Sequence, residues 1–246
     1  MLQRLDKLIA SQGTMSRRET TRLIRSGQVT VDGVVSRDPA AKYDGNVCCV
    51  TVAGKPLAYQ QFVYLMMNKP AGVLCVSRDP RVETVVDLLP PEQKRKGLFP
   101  AGRLDKDTVG LVILTDDGDF AHRMLAPKSS VQKCYQVRLD GPVTEEDIEA
   151  FRRGITLADG TPCRPAGLRV LEGGEQPLAE VMITEGRYHQ IKRMFGTREL
   201  GVVWLKRVSI GALELDPDLG EGDSRFLSEE ERELAFCLRS PDFCSR

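Results

Sequence analysis

The chain has no apolar run approaching the roughly 20 residues that cross a bilayer, so a membrane-spanning helix is not expected. It has no Gly-x-Gly-x-x-Gly fingerprint, no phosphate-binding P-loop and no Gly-x-Ser-x-Gly elbow, which argues against a dinucleotide enzyme, a P-loop NTPase and an α/β-hydrolase. Its histidines are two, His122 and His189, too far apart in sequence to suggest a histidine-based metal hydrolase. The seven cysteines are an odd set without C-x-x-C spacing, and Cys48 and Cys49 are adjacent; this suits reduced thiols better than disulfides or zinc. No metal and no cofactor is implied. The opening MLQRLDKLIASQG interrupts its apolar residues with charges, unlike a secretion signal, and the expected location is cytoplasmic.

Net charge is also absent, which at first argues against a nucleic-acid partner. The distribution says otherwise. Residues 1–46 carry eight Lys/Arg against five Asp/Glu, whereas residues 214–233 carry nine acids against two bases, so a basic module is set against an acidic tail. In the basic module, RLDKLIASQG spaces Leu5, Leu8 and Ile9 as a helix ending at Gly13. Ser16 and Glu19 form a capping-box signature before a second helix that ends at Gly27 and displays Arg17, Arg18, Arg22 and Arg25. QVTVDGVV then reads as a hairpin turning at Asp32-Gly33. Helix, helix and hairpin within about 45 residues is marginal by buried area alone unless the unit leans on something or binds a partner.

AGKPLAYQQF (residues 53–62) reads as a connection, which divides the chain into residues 1–58 and 59–246. Beyond it, strands outnumber helices, with helical stretches near 83–89, 117–126, 144–153 and 187–195. The expected class is α+β: a small N-terminal α/β unit followed by a larger domain on a mixed, mainly antiparallel sheet. In the tail, Ser228 and Glu231 repeat the capping-box signature, and the last six residues, PDFCSR, are expected to be dispensable for activity.

Three segments of the larger domain carry candidate chemistry. In GRLDKDTVGLVILTDDG (102–118), Asp105 stands at the foot of the apolar strand LVILT, where a carboxylate needs a cationic partner, while Asp116 and Asp117 look like turn residues. Arg103 is a neighbour, but in an extended stretch its side chain leaves on the opposite side. The cation is sought in ITEGRYHQIKRMFG (183–196), where a helix would bury Ile191 and Phe195 and bring Lys192 to the edge of that face. His189 ranks below Asp105 as an acid or base. In KCYQVRLD (133–140), alternation places Tyr135 on the face of Val137 and Leu139, as core, as a stacking platform for an unpaired base, or as a hydroxyl that takes part in proton transfer.

Residues 4–35, from RLDKLIASQG through SRRE to VTVDGVV, resemble the S4 RNA-binding domain, which implies that the arginine helix and the hairpin face an RNA backbone. YLMMNKPAGV, GRLDKDTVGLVILTDDG, KCYQV and EGRYHQIKRMF, taken in order, resemble the pseudouridine synthases of the RsuA type over essentially the whole chain. The resemblance implies Asp105 as the catalytic aspartate, Tyr135 as the family tyrosine and Lys192 as the basic partner of the aspartate. It implies Arg103 as a group that holds RNA or fills the space left by the target base, with Arg187, His189 and Gln190 also facing RNA. The implied reaction is cofactor-free isomerisation of a uridine. The form YHQIKRMF is similar to members acting on small-subunit (16S) rRNA, whose usual target is uridine 516. The same chemistry on large-subunit rRNA, and a non-catalytic S4-type RNA-binding or ribosome-assembly protein, are the alternatives. The implied partner is rRNA or a small-subunit assembly intermediate, with no membrane and a monomeric chain. One departure stands after the last helix, where FGTRELGVV places Glu199-Leu200 at the family's Gly-Asn-type turn.

Overall fold

Short-range signals shape the N-terminal part of the computed structural model, which describes residues 2–13, 15–126 and 128–239. The chain falls into two units: the first 63 residues with Leu89–Leu98, and Tyr64–Leu88 with everything from Phe99 onward. The division at Val63 lies just after the boundary expected at residue 58. The return of Leu89–Leu98 to the first unit has no counterpart in the sequence reading; within that unit Arg95 donates to the carbonyls of Gln60 (2.8 Å) and Gln61 (2.9 Å).

In the first unit the helices Leu5–Ala10 and Arg17–Arg25 form, the second with the Ser16–Glu19 capping box complete. Asp32 (φ 50°) and Gly33 (φ 81°) turn the hairpin with two successive left-handed residues, the geometry that matches strand twist. The antiparallel sheet runs Val34–Val35, Val29–Val31, Val50–Val52, Lys55–Pro56. The segment taken as a connection from residue 53 therefore begins as a further hairpin, with Pro56 on an edge strand where no amide proton is needed. Leu5, Leu8, Ile9, Ile24, Val29, Val31, Val50 and Val52 make the small core.

The second unit is built on one mixed sheet in the order Gly167–Glu172, Leu178–Ile183, Lys133–Leu139, Val202–Ile210, Val109–Thr115, Tyr64–Lys69, Ser224–Phe226. All neighbours are antiparallel except Val202–Ile210 beside Val109–Thr115. The expected α+β class and mainly antiparallel sheet are what the chain forms. Every residue of Val109–Thr115 is buried, as its unbroken apolar run requires. At the parallel contact Gly110 (φ 100°) lies so close to its neighbour that an added Cβ would stand 2.3 Å from the Arg207 carbonyl oxygen.

Helices Gly118–Leu125 and Glu145–Arg153 agree with the sequence reading. Asp117 caps the first of them, accepting from the amides of Asp119 and Phe120, so its turn role is as expected. The helix expected over 83–89 is only a turn: Asp87 accepts from the amide and hydroxyl of Thr84, and Pro90 and Pro91 prevent continuation. The helix expected from 187 begins at Gln190, because His189 at its cap is left-handed (φ 48°). In the acidic tail, Ser228–Glu231 caps the helix Glu229–Leu234 as read, and Arg225 ties Asp216 to Glu231. The segment PDFCSR lies outside the described residues.

Candidate active site

The Gly102–Thr108 loop leads into the buried Val109–Thr115 strand, and a lysine holds it from within. Lys69, at the end of the adjacent strand, is fully buried and donates to the carbonyls of Pro70 (2.9 Å), Lys106 (3.2 Å) and Thr108 (2.9 Å). Burial lowers its pKa, while the negative charges of Asp107 and Asp105 act in the opposite direction. A turn closes with Thr108 N–H donating to the Asp105 carbonyl, and Gly72 N–H donates to that of Lys106. Leu104 is buried, so Asp105 is anchored on one side by core and on the other by the clamped turn. Its side chain keeps 28% exposure, a carboxylate at the rim of the core and open to a ligand.

The Glu185–Lys192 segment faces it. Glu185 accepts from Arg164 N–H (2.9 Å), the Gln190 amide (3.0 Å) and Arg187 Nε (3.3 Å), which fixes the turn before the helix Gln190–Gly196. His189 stacks on Tyr188 at 3.8 Å and brings Nε2 to 3.4 Å from Asp105 Oδ1. Lys192 Nζ is 3.8 Å from Asp105 Oδ2, but its hydrogen bonds go to Asp107, at 2.6 and 2.7 Å. The expected Lys192–Asp105 ion pair thus forms, at 3.8 Å, while the hydrogen-bonding grip on the ammonium comes from Asp107. That grip holds the Asp107 carboxyl below its ordinary range. The sequence reading passed over Asp107, although two aspartates at i and i+2 next to a turn were visible.

Tyr135 is 8% exposed and lies opposite Val181 on one side and Arg207 on the other, next to a bulge at Cys134/Tyr135. Lys133, two residues earlier on the same face, is buried, and its Nζ donates to the Val131 carbonyl at 2.9 Å. Arg207, 4% exposed, donates through Nε to the Leu111 carbonyl at 2.7 Å. Sequence reasoning missed Lys69, Lys133 and Arg207. The available signal was a base embedded in each of three apolar strands.

The residues expected to face RNA separate into groups. Arg18, Arg22 and Arg25 line one exposed groove with Thr21 and Ser26 in the first unit. Arg17 is also exposed, but its guanidinium is 3.2 Å from Asp6, which Arg4 also holds. In the second unit Arg103 and Arg187 are exposed. Gln190 is not available: it is 4% exposed, accepts from Arg187 N–H and donates to Glu185, so its amide stitches the turn together.

Residues 63–197 match the RNA pseudouridylate synthase family and residues 3–47 the S4 domain. A Bacillus subtilis (strain 168) protein named uncharacterized RNA pseudouridine synthase YtzG is 45% identical over 94% of this chain and 97% of its own. Ribosomal small subunit pseudouridine synthase A of Escherichia coli (strain K12) is 42% identical over 93% of this chain and 97% of its own. A crystal structure of a pseudouridylate synthase, 36% identical, superposes with a TM-score of 0.65 over 94% of this chain and 99% of that one.

Proposed function

The chain belongs to the RNA pseudouridylate synthase family, is of the RsuA type with an N-terminal S4 domain, and is an RNA pseudouridine synthase; we propose that it isomerises one uridine of small-subunit ribosomal RNA, with Asp105 acting at the sugar. The observation that carries the role of Asp105 is its place on a loop clamped by Lys69, half-open to solvent, with His189 and Lys192 within 4 Å.

A stacked uridine is out of reach, so the target base is turned out of its helix and held against a wall, the role assigned to Tyr135. Asp105 then attacks C1′ or removes the C2′ proton, and the C1′–N1 bond breaks. Uracil rotates, C5 bonds to C1′ as Asp105 leaves C1′ or returns the proton to C2′, and C5 then loses its proton while N1 takes one up. Lys192, held by Asp107, keeps a positive charge 3.8 Å from the Asp105 carboxylate. Arg103, Arg187 and His189 engage the RNA around the target. The arginine groove of the first unit, within residues 1–58, binds backbone phosphates, and the chain acts as a monomer on rRNA or an assembling subunit.

The small-subunit substrate is supported by the Escherichia coli relative's name and by the form YHQIKRMF, with uridine 516 as the proposed position. Carbodiimide-dependent primer-extension stops, mapped on both rRNAs from cells lacking the protein, test it. Loss of one small-subunit stop, restored by the wild-type chain, is expected. Loss of a large-subunit stop instead transfers the reading to that rRNA, and persistence of every stop refutes it.

A further inference from the structure

Buried side-chain charges in folded proteins are normally matched by an opposite charge, because an isolated ion pays most of its hydration energy on burial. Lys133 and Arg207 break that expectation. Each is at least nine-tenths buried, and among the described residues each has a single backbone carbonyl as its hydrogen-bond partner, Val131 for Lys133 and Leu111 for Arg207. No carboxylate among the described residues pairs with either, and the Arg207 Nη2 nitrogen is buried without any partner. They also lie close enough to repel. Burial first, and the charge of Arg207 second, push the Lys133 amine down to about 8.

Their position is specific. Lys133 shares a sheet face with Tyr135 two residues away, and Arg207 is the residue directly across the strand pair from Tyr135. A base resting on Tyr135 therefore lies against the sheet face that carries two buried, unneutralised cations. In the isomerisation, C1′–N1 cleavage leaves the bonding electron pair on N1, and C1′ is satisfied by a new bond to Asp105 or by loss of its C2′ proton to Asp105. Uracil is then an anion until C5 bonds to C1′, which releases Asp105 from C1′ or returns the proton to C2′; C5 afterwards loses its proton and N1 gains one. We infer that Lys133 and Arg207 form a cationic floor that stabilises detached uracil, a leaving-group role that rests on the synthase reading above. The resting protein holds these charges unmatched, and the negative charge that matches them arises during the reaction.

The test uses single-turnover reactions of the full-length chain with a small-subunit rRNA transcript containing either uridine or 5-fluorouridine, whose base departs more readily as an anion. Loss of the N1-linked nucleoside is read by nuclease digestion and mass spectrometry. For Lys133→Met the expected rate loss is about a hundredfold with uridine and under about tenfold with 5-fluorouridine. KM is expected to stay constant and Tm to be unchanged or higher, because an apolar side chain replaces an unmatched charge. Arg207→Gln, which keeps a donor for the Leu111 carbonyl, is expected to show the same substrate dependence. Equal losses on both substrates, no loss, or a Tm that falls in both variants would overturn the proposal and leave the pair structural. A wild-type chain inactive on both small- and large-subunit transcripts refutes the synthase reading itself, and the two failures are thereby told apart.

Discussion

Cations occur in this chain in two opposite settings. Arg18, Arg22 and Arg25 are exposed along one helix of the first unit, where water solvates each guanidinium and any phosphate contact adds to an inexpensive arrangement. Lys69, Lys133 and Arg207 are buried in the strands of the second unit, where backbone carbonyls are their hydrogen-bond partners. A solvated set is suited to attracting a polyanion and can lose a member cheaply. A buried set is tied to the positions of loop and strand, so its members carry structural or chemical consequences one by one.

Lys69 gives the largest effect with which to break that contrast. Lys69→Met strips donors from three carbonyls, and a loss of about 3 kcal/mol is expected, read by urea denaturation. A loss below about 1 kcal/mol would place Lys69 with the exposed set. Next, the triple replacement of Arg18, Arg22 and Arg25 by alanine is expected to weaken rRNA binding between about 10- and 100-fold at physiological salt. It should also reduce the log–log salt slope by about 2 to 3 with Tm unchanged. An unaltered slope would show that the groove does not touch phosphate.

Asp6 supplies a smaller, pH-dependent effect. Its hydrogen bonds with Arg4, helped by Arg17, hold its carboxyl below the usual range against the opposing influence of burial. A depressed carboxyl contributes stability that is complete above its unfolded value, near pH 4, and is lost as pH falls through the folded value. Asp6→Asn is expected to cost roughly 1 kcal/mol at neutral pH, since solvent screens both guanidinium groups, and nothing once Asp6 is protonated. Circular dichroism melts at neutral and strongly acidic pH check it; a pH-independent loss would contradict the pairing. The smallest effect has the opposite sign: Glu199 is left-handed (φ 60°) at the turn where the family has a Gly-Asn-type sequence, and Glu199→Gly should stabilise by about 0.5–1 kcal/mol in thermal unfolding. Destabilisation would mean that the Glu199 side chain contributes more than its backbone costs.

What the sequence disclosed follows the range of the interactions. Ser16–Glu19, Ser228–Glu231 and the Asp32-Gly33 turn act over three or four residues and were legible as written. The buried strand ahead of Asp116 was legible because both its faces are apolar. The one-turn segment at 83–89 was not, since proline ended a helical pattern that periodicity alone would extend. Gln190 was expected to face RNA because nothing local reveals that Glu185 and the Arg187 amide claim it. Asp105 and Lys192 were located by motif, but the preference of Lys192 for Asp107 is decided across 85 residues of chain. Alternation likewise places Tyr135 on a face without showing that Lys133 lies buried on the same one.

The most direct test of the central claim is pseudouridine formation by the purified full-length chain on a small-subunit rRNA transcript, with Asp105→Asn compared at matched folding and matched RNA affinity. The account predicts stoichiometric conversion of one uridine by the wild type and a rate at least about a thousandfold lower for Asp105→Asn. Conversion by Asp105→Asn at a rate near that of the wild type would contradict it.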